Sequence, residues 1–337
     1  MKYFLAIAGL VMIAACNNAT QNQQDKRYPV TGSIERLDPA LDAIISPDAK
    51  AEIIATGFDW SEGPVWIESQ QMLLFSDVPR DTVFKWTEEK GKEVYLTPSG
   101  YTDTIKRGGE IGSNGLLTDK EGRLVLCQCG NRQMARMDAL LDKPAAQYTS
   151  LANRYQGKRF NSPNDAVYNS KGELFFTDPP YGLEKYMDDP AKETPYQGVY
   201  KVKANGDVIL LLDSITRPNG IAFLPGEKKL IIANSDPDKP YWYSYDVNDN
   251  DSLSNGAIFY SAAGQQGAKG LPDGLKVDKN GNIFASGPGG IWIFNHEAKL
   301  LGKIRLPEAA SNCAFSADEK TLYITNDMNI IRVKLRN

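Results

Sequence analysis

Apolar residues in this chain come in short runs, not in long helical stripes. RLVLCQ, ELFFTD, KLIIAN and TLYITN are strand-length, and several are preceded by turn clusters such as Asp-Lys-Glu-Gly and Asn-Ser-Lys-Gly. Such spacing predicts β-hairpins, with glycine where a positive φ is needed. The hairpins recur on one template: a small residue or proline, a polar residue, usually glycine, an apolar stretch, a turn, then a strand. The six copies begin SEGPVW, SNGLLT, PNDAVY, PNGIAF, PDGLKV and SNCAFS. Their polar members are Glu62, Asn114, Asn164, Asn219, Asp273 and Asn312, spaced by 52, 50, 55, 54 and 39 residues. Further strands lie between the copies (TVFKWT, GVYKVK, YWYSYDV, GGIWIFN), making about four strands per unit. A period near 50 with four strands predicts an all-β six-bladed β-propeller rather than a solenoid. The last unit holds only three strands. AEIIAT at 51–56 is therefore expected to complete it, an N-terminal strand closing the ring and removing the open edge. Residues 31–50 are expected to hold a short helical turn, and 31–337 to form one domain.

The first residues follow another logic. MKYFLAIAGLVMIAAC has a charged start and an apolar middle too short to span a bilayer, so it reads as a secretory signal. Ile13-Ala14-Ala15-Cys16 resembles the bacterial lipobox, which makes residues 1–16 a lipoprotein signal and Cys16 the lipidated residue. Residues 17–30 would then be a polar tether, and the protein a monomer anchored by lipid to the cell envelope, on the periplasmic or outer surface. Cys127, Cys129 and Cys313 are expected to pack rather than pair. The net charge of −4 leaves no electrostatic footprint for nucleic acid. The sole histidine, His296, falls in an expected outer turn, which argues against a Ser-His-Asp triad.

In a propeller the template's polar residues converge on one end of the central channel. Two readings stand. Asn-Gly and Asp-Gly are common turn formers. Yet Glu62 is a poor turn former. Glu62 and Asp273 with several asparagine amides also make an all-oxygen set of charge −2, suited to Ca²⁺ or Mg²⁺.

SEGPVW, RFNSPNDAVYNSKGELFFTDPPYGL, RPNGIAF and PDGLKVDKNGNIFASGPGGIWIFN resemble the SMP-30/gluconolactonase family, over about residues 50–335. The resemblance implies a six-bladed propeller that holds a divalent cation in its channel and hydrolyses lactones. It implies cation ligands at Glu62, Asn164, Asn219 and Asp273, with Ca²⁺ expected and Zn²⁺, Mg²⁺ or Mn²⁺ as alternatives. It makes Asp273 the expected general base, although a nucleophilic role or a cation-activated water stays open. It places Asn114 near the substrate. Arg132, Arg159 and Tyr181 are candidate substrate contacts, Asp165 a candidate supporting group, and 178–198 a pocket rim or lid. Asn312 is expected to be structural, and Trp66 to be core packing rather than a sugar platform. The expected activity is gluconolactonase-like opening of sugar lactones. Its rivals are a phosphotriesterase-like hydrolase on the same site and a non-catalytic binding module.

Overall fold

A computed structural model describes residues 28–265 and 267–336. The signal segment, Cys16 and nearly all of the expected tether lie outside the described residues.

Six antiparallel sheets of four or five strands form the ring, with one small extra hairpin at 154–159. Blades 1 to 4 are meanders that begin at Ser61, Ser113, Ala166 and Pro218. Blade 5 runs from Leu275 to Arg305 and blade 6 from Ala310 to Lys334. The expected closure is present. Ala51–Thr56 pairs antiparallel with Asn329–Lys334, joining the N-terminal segment to the last blade. Two further N-terminal strands were not foreseen. Ser33–Arg36 adds a fifth strand to blade 5 and Val30–Thr31 a fifth to blade 6. The expected helical turn is a 3-10 segment at Pro39–Ala43 that buries Leu41 completely.

The fold begins before the expected boundary at residue 31. Tyr28 donates to the Glu88 carboxylate at 3.2 Å, and the Arg332 guanidinium lies 5.0 Å from its ring centroid. An aromatic ring beside a cation is more favourably placed than one in a solvated tether.

Six apolar clusters occupy the six blade interfaces. In the second strand of each blade, alternate side chains enter opposite interfaces. Met72 and Leu74 pack toward blade 2, whereas Leu73 and Phe75 pack toward blade 6. Leu124 and Leu126 face blade 1, whereas Val125 and Cys127 face blade 3. Both faces are buried, so these strands read as continuous apolar runs. Cys127 is thus a packing residue; Cys127, Cys129 and Cys313 are all free and buried. Trp66 stacks on Tyr323 of blade 6, with centroids 5.2 Å apart and planes 9° apart. His296 is exposed in the turn that follows Phe294.

Closure has a measurable consequence. Ile331 is fully buried opposite Ile53 at the seam, whereas Val30 at the outer edge is 55% exposed. Ile331→Ala should destabilise the protein by about 2–5 kcal/mol in urea unfolding. Val30→Ala should stay within about 0.5 kcal/mol.

Candidate active site

The polar template residues stand at the start of the inner strands. Glu62, Asn114, Asn219 and Asn312 are each the second or third residue of such a strand. The ladder breaks around this point, with register shifts at Glu62/Val65, Ser113/Leu116, Pro218/Ile221 and Ala310/Asn312. Such bulges re-aim side chains, here toward the channel. In blades 3 and 5 the inner ladder starts only after Asn164 and Asp273.

The glycine after the polar residue has a reason other than a turn. A Cβ on Gly63 would lie 1.9 Å from the Asn114 carbonyl oxygen, and one on Gly220 would lie 2.3 Å from that of Asp273. On Gly274 it would lie 2.0 Å from Cγ of Asn312. Each glycine admits the next blade's polar residue, so the turn-former reading gives way to close packing at the channel.

Polar residues at or near the end of the second strand hold the incoming loops. Asp77 accepts from the backbone N–H groups of Asp59 and Trp60, and Asp178 accepts from those of Asn161 and Ser162, both at 2.7 Å. Asn234 Oδ1 accepts from the Arg217 N–H at 2.8 Å. Buried hydroxyls then tie blade to blade. Ser76 donates to the Asn114 carbonyl, Ser235 to that of Pro272, Ser286 to that of Ser311, and Ser311 to that of Ser61.

Five template residues, Glu62, Asn114, Asn164, Asn219 and Asp273, line one cavity of about 350 Å³. Tyr181 lines it too, as expected for a pocket rim. So do Trp60, Glu110 and Ser235, which sequence reasoning missed. Trp60 and Glu110 sit on loops outside the repeat, so no periodicity marked them. The sixth template residue, Asn312, is absent from the lining. Its Nδ2 donates to Asp165 Oδ2 at 3.2 Å, and Lys276 Nζ donates to its Oδ1 at 3.2 Å. Lys276 Nζ is also 3.6 Å from Asp165 Oδ2. Blades 3 and 6 face each other across the ring, so this network bridges the channel. Asp165 is thereby committed to it.

Arg132 and Arg159 lie elsewhere. They line a separate cleft, and their guanidiniums donate to main-chain carbonyls: Arg132 to Phe160 and Ala191, Arg159 to Asn131. Loop architecture takes up the donors that had suggested substrate contact. A larger cleft of about 630 Å³ lies between the hairpin turns of blades 2 and 3. Size therefore does not single out the site; convergent unpartnered oxygens do.

Asp273 Oδ1 and Asn114 Oδ1 are buried without a hydrogen-bond partner among the described residues. Asn219 Nδ2 donates to Ser235 Oγ at 2.9 Å, leaving its oxygen as the free end. Burial pushes Glu62 up to about 8, against the Gly63 N–H, with the charges of Glu110 and Asp165 adding to the rise. Burial pushes Asp273 well above the carboxylate range, reinforced by Glu62, Glu110 and Asp165. Burial alone takes Glu110 to about 7. Clustered carboxylates short of solvent and of donors are what a cation relieves. The set is oxygen-only, which suits a hard divalent ion. Among the described residues no three His, Cys, Asp or Glu side chains form a metal cluster, so the fit depends on the asparagine amides.

The family's sequence profile, described as an SMP-30/gluconolactonase/LRE-like region, matches residues 60–327. The chain belongs to this family. It is 36% identical to a gluconolactonase of Zymomonas mobilis, over 98% of this chain and 94% of that protein. The solved gluconolactonase of Xanthomonas campestris superposes with a TM-score of 0.78 at 30% identity, covering 92% of this chain and 99% of that one. A calcium-binding regucalcin of Agrobacterium tumefaciens shares the fold, with a TM-score of 0.64 at 15% identity, covering 85% of this chain and 94% of that one.

Asp178 offers a test of how the loops are held. Burial raises it to about 7, against the pull of its two N–H donors. The folded state then binds its proton more tightly than the unfolded state, so this stability contribution is present at low pH. It is lost as pH rises from about 4 through 7. Urea unfolding of wild type and Asp178→Asn at pH 5 and pH 8 should show the variant gaining on wild type at the higher pH. The shift should reach a few kcal/mol at most, at about 1.4 kcal/mol per pKa unit.

Proposed function

We propose that this protein is a divalent-cation-dependent lactonase that opens sugar lactones in the manner of a gluconolactonase. The convergence of five template side chains on one small cavity, with orphaned oxygens on Asp273 and Asn114, carries the reading. Similarity to the two gluconolactonases supports the substrate class. Glu62, Asn164, Asn219 and Asp273 would hold the ion, with calcium the expected species. A bound divalent ion would supply Lewis-acid polarisation of the lactone carbonyl and charge stabilisation as that oxygen becomes anionic.

The remaining steps belong to the chain. Asp273 Oδ1, free of internal donors, accepts the proton of the attacking water. Glu110 presents a carboxylate to the same space and can accept hydrogen bonds from the polyol hydroxyls of the ring. Burial first, and then the Asp273 charge, raise the Tyr181 phenol, which stays protonated and serves as a donor. Trp60 adds an apolar face, and its indole N–H, 3.4 Å from Glu62 Oε1, keeps that carboxylate in place. We further propose that Cys16 carries the lipid that anchors the enzyme to the envelope.

Turnover of a panel of aldonolactones, with and without chelator, checks the activity. Chelation should abolish hydrolysis and calcium should restore it. Phosphotriester turnover without lactone turnover would favour the rival hydrolase. Asp273→Asn at saturating calcium should lower kcat about 10²–10⁴-fold, the usual worth of a positioned base. Asn219→Asp should retain the ion and most of kcat. Wild-type turnover by Asp273→Asn would reduce Asp273 to a ligand.

The anchor has its own readout. Cys16→Ser should lose incorporation of a fatty-acid analogue in metabolic labelling. Label retained in that variant would overturn the lipobox reading.

A further inference from the structure

A second cleft, of about 480 Å³, opens behind the loops that wall the cavity. Its lining includes Arg107, Arg132, Arg159 and Lys185. Four cations in one cleft are notable in a chain of net charge −4. None of the four forms an ion pair among the described residues, although Arg36, Arg80, Arg123, Arg136, Arg154, Arg305 and Arg332 all do.

Three carboxylates, Asp103, Glu184 and Asp189, share the lining but are taken up by main-chain donors. Asp103 accepts from Thr104 and Ile105, Glu184 from Gly108, and Asp189 from Lys185 and Ala191. Glu193 is occupied as well, by the Arg159 N–H at 2.7 Å and by Arg154 at 3.8 Å.

The arginines are held from behind. Arg107 donates to the carbonyls of Gly182 and Gly130, at 2.6 and 2.7 Å. Arg132 donates through Nε to Phe160 at 2.6 Å and through Nη1 to Ala191 at 2.8 Å. Arg159 donates through Nη2 to Asn131 at 3.0 Å. Five donors are spent on five carbonyls, so the guanidiniums are fixed by neutral acceptors rather than by carboxylates.

Arg132 is the decisive residue. It is only 4% exposed, and its Nη2 has no acceptor among the described residues. A buried guanidinium with an unpaired donor and no direct ion pair is costly. Burial, with the neighbouring Arg159 and Arg107 charges, lowers its pKa against the opposing pull of Asp178 and Glu193. It also sits at φ +60°, where glycine or asparagine would be less strained.

We propose that this cleft binds a small oxyanion, a carboxylate or a phosphate, through the guanidiniums of Arg107, Arg132 and Arg159. Planar guanidinium forks match both anions. The proposal does not depend on the lactonase reading, since the cleft shares no lining residue with the cavity. The two are nonetheless joined. The loop that carries Arg107 also carries Glu110, and the loop that carries Lys185 also carries Tyr181. The Glu110 N–H donates to the Tyr181 carbonyl at 3.3 Å, pinning the loops together between the two sites.

Calorimetric titration of the full chain with inorganic phosphate and with gluconate, at constant ionic strength, tests this. At least one should bind saturably, and Arg159→Gln and Arg107→Gln should each weaken binding about tenfold or more, the worth of a charged hydrogen bond. Thermal unfolding like that of wild type will show that these partly exposed positions tolerate the change. Arg132→Gln is avoided because that side chain, unlike the other two, is buried. Binding should survive chelator and Asp273→Asn, which separates it from product held in the cavity. Phosphate binding alone assigns a phosphate, and gluconate binding alone a carboxylate. No saturable binding of either probe, or binding unchanged by both arginine variants, overturns the proposal.

Discussion

The inner strands of neighbouring blades meet at less than side-chain distance around the channel, and the rest of the site depends on that approach. At Gly63, Gly220 and Gly274 any Cβ would strike the next blade's polar residue. The contact fixes each template residue against its neighbour, with a hydroxyl belt satisfying the carbonyls that are brought together. A ring built this way cannot adjust one blade alone. Seating the N-terminal strand beside blade 6 therefore sets the geometry of side chains on every blade.

That rigidity sorts polar atoms into two groups. Asp77, Asp178 and Asn234 are buried, yet their oxygens accept main-chain N–H groups, so they serve the fold. Asp165 is drawn into the cross-channel network with Asn312 and Lys276. Asp273 and Asn114 keep oxygens that nothing in the fold uses. Most of these residues are buried, and hydrogen-bond occupancy tells scaffold from chemistry. A buried oxygen left free costs stability unless a ligand satisfies it.

The blades, their number and their closure were legible because a repeat writes its geometry six times. So were the five residues that line the cavity, since each occupies the same slot. Other features resisted for identifiable reasons. Asn-Gly serves turns and close approaches alike, and it is the spatial approach, such as that of the Asp273 carbonyl to Gly220, that separates the two. Glu110 and Trp60 enter the cavity from loops, where nothing repeats. Arg132 and Arg159 are candidate substrate contacts from sequence, but the carbonyls of Phe160, Ala191 and Asn131 claim their donors. Ser33–Arg36 is too short and polar to announce itself as the outer strand of blade 5.

Strands and loops thus carry different parts of the function. The candidate ion ligands and the candidate base stand at or just before the start of inner strands, where a shift in one blade is resisted by its neighbours. Glu110 and Tyr181, the proposed contacts to substrate hydroxyls, stand on loops 97–112 and 179–197. These loops make few ladder contacts and are stapled by Arg107 to the Gly182 and Gly130 carbonyls. Loops tolerate sequence change better than the elements they connect. Substrate preference can therefore vary without disturbing the hydrolytic centre, provided the staple holds. Arg107, which provides it, also lines the second cleft, so one side chain joins the loops that carry the proposed substrate contacts to the charge of that cleft.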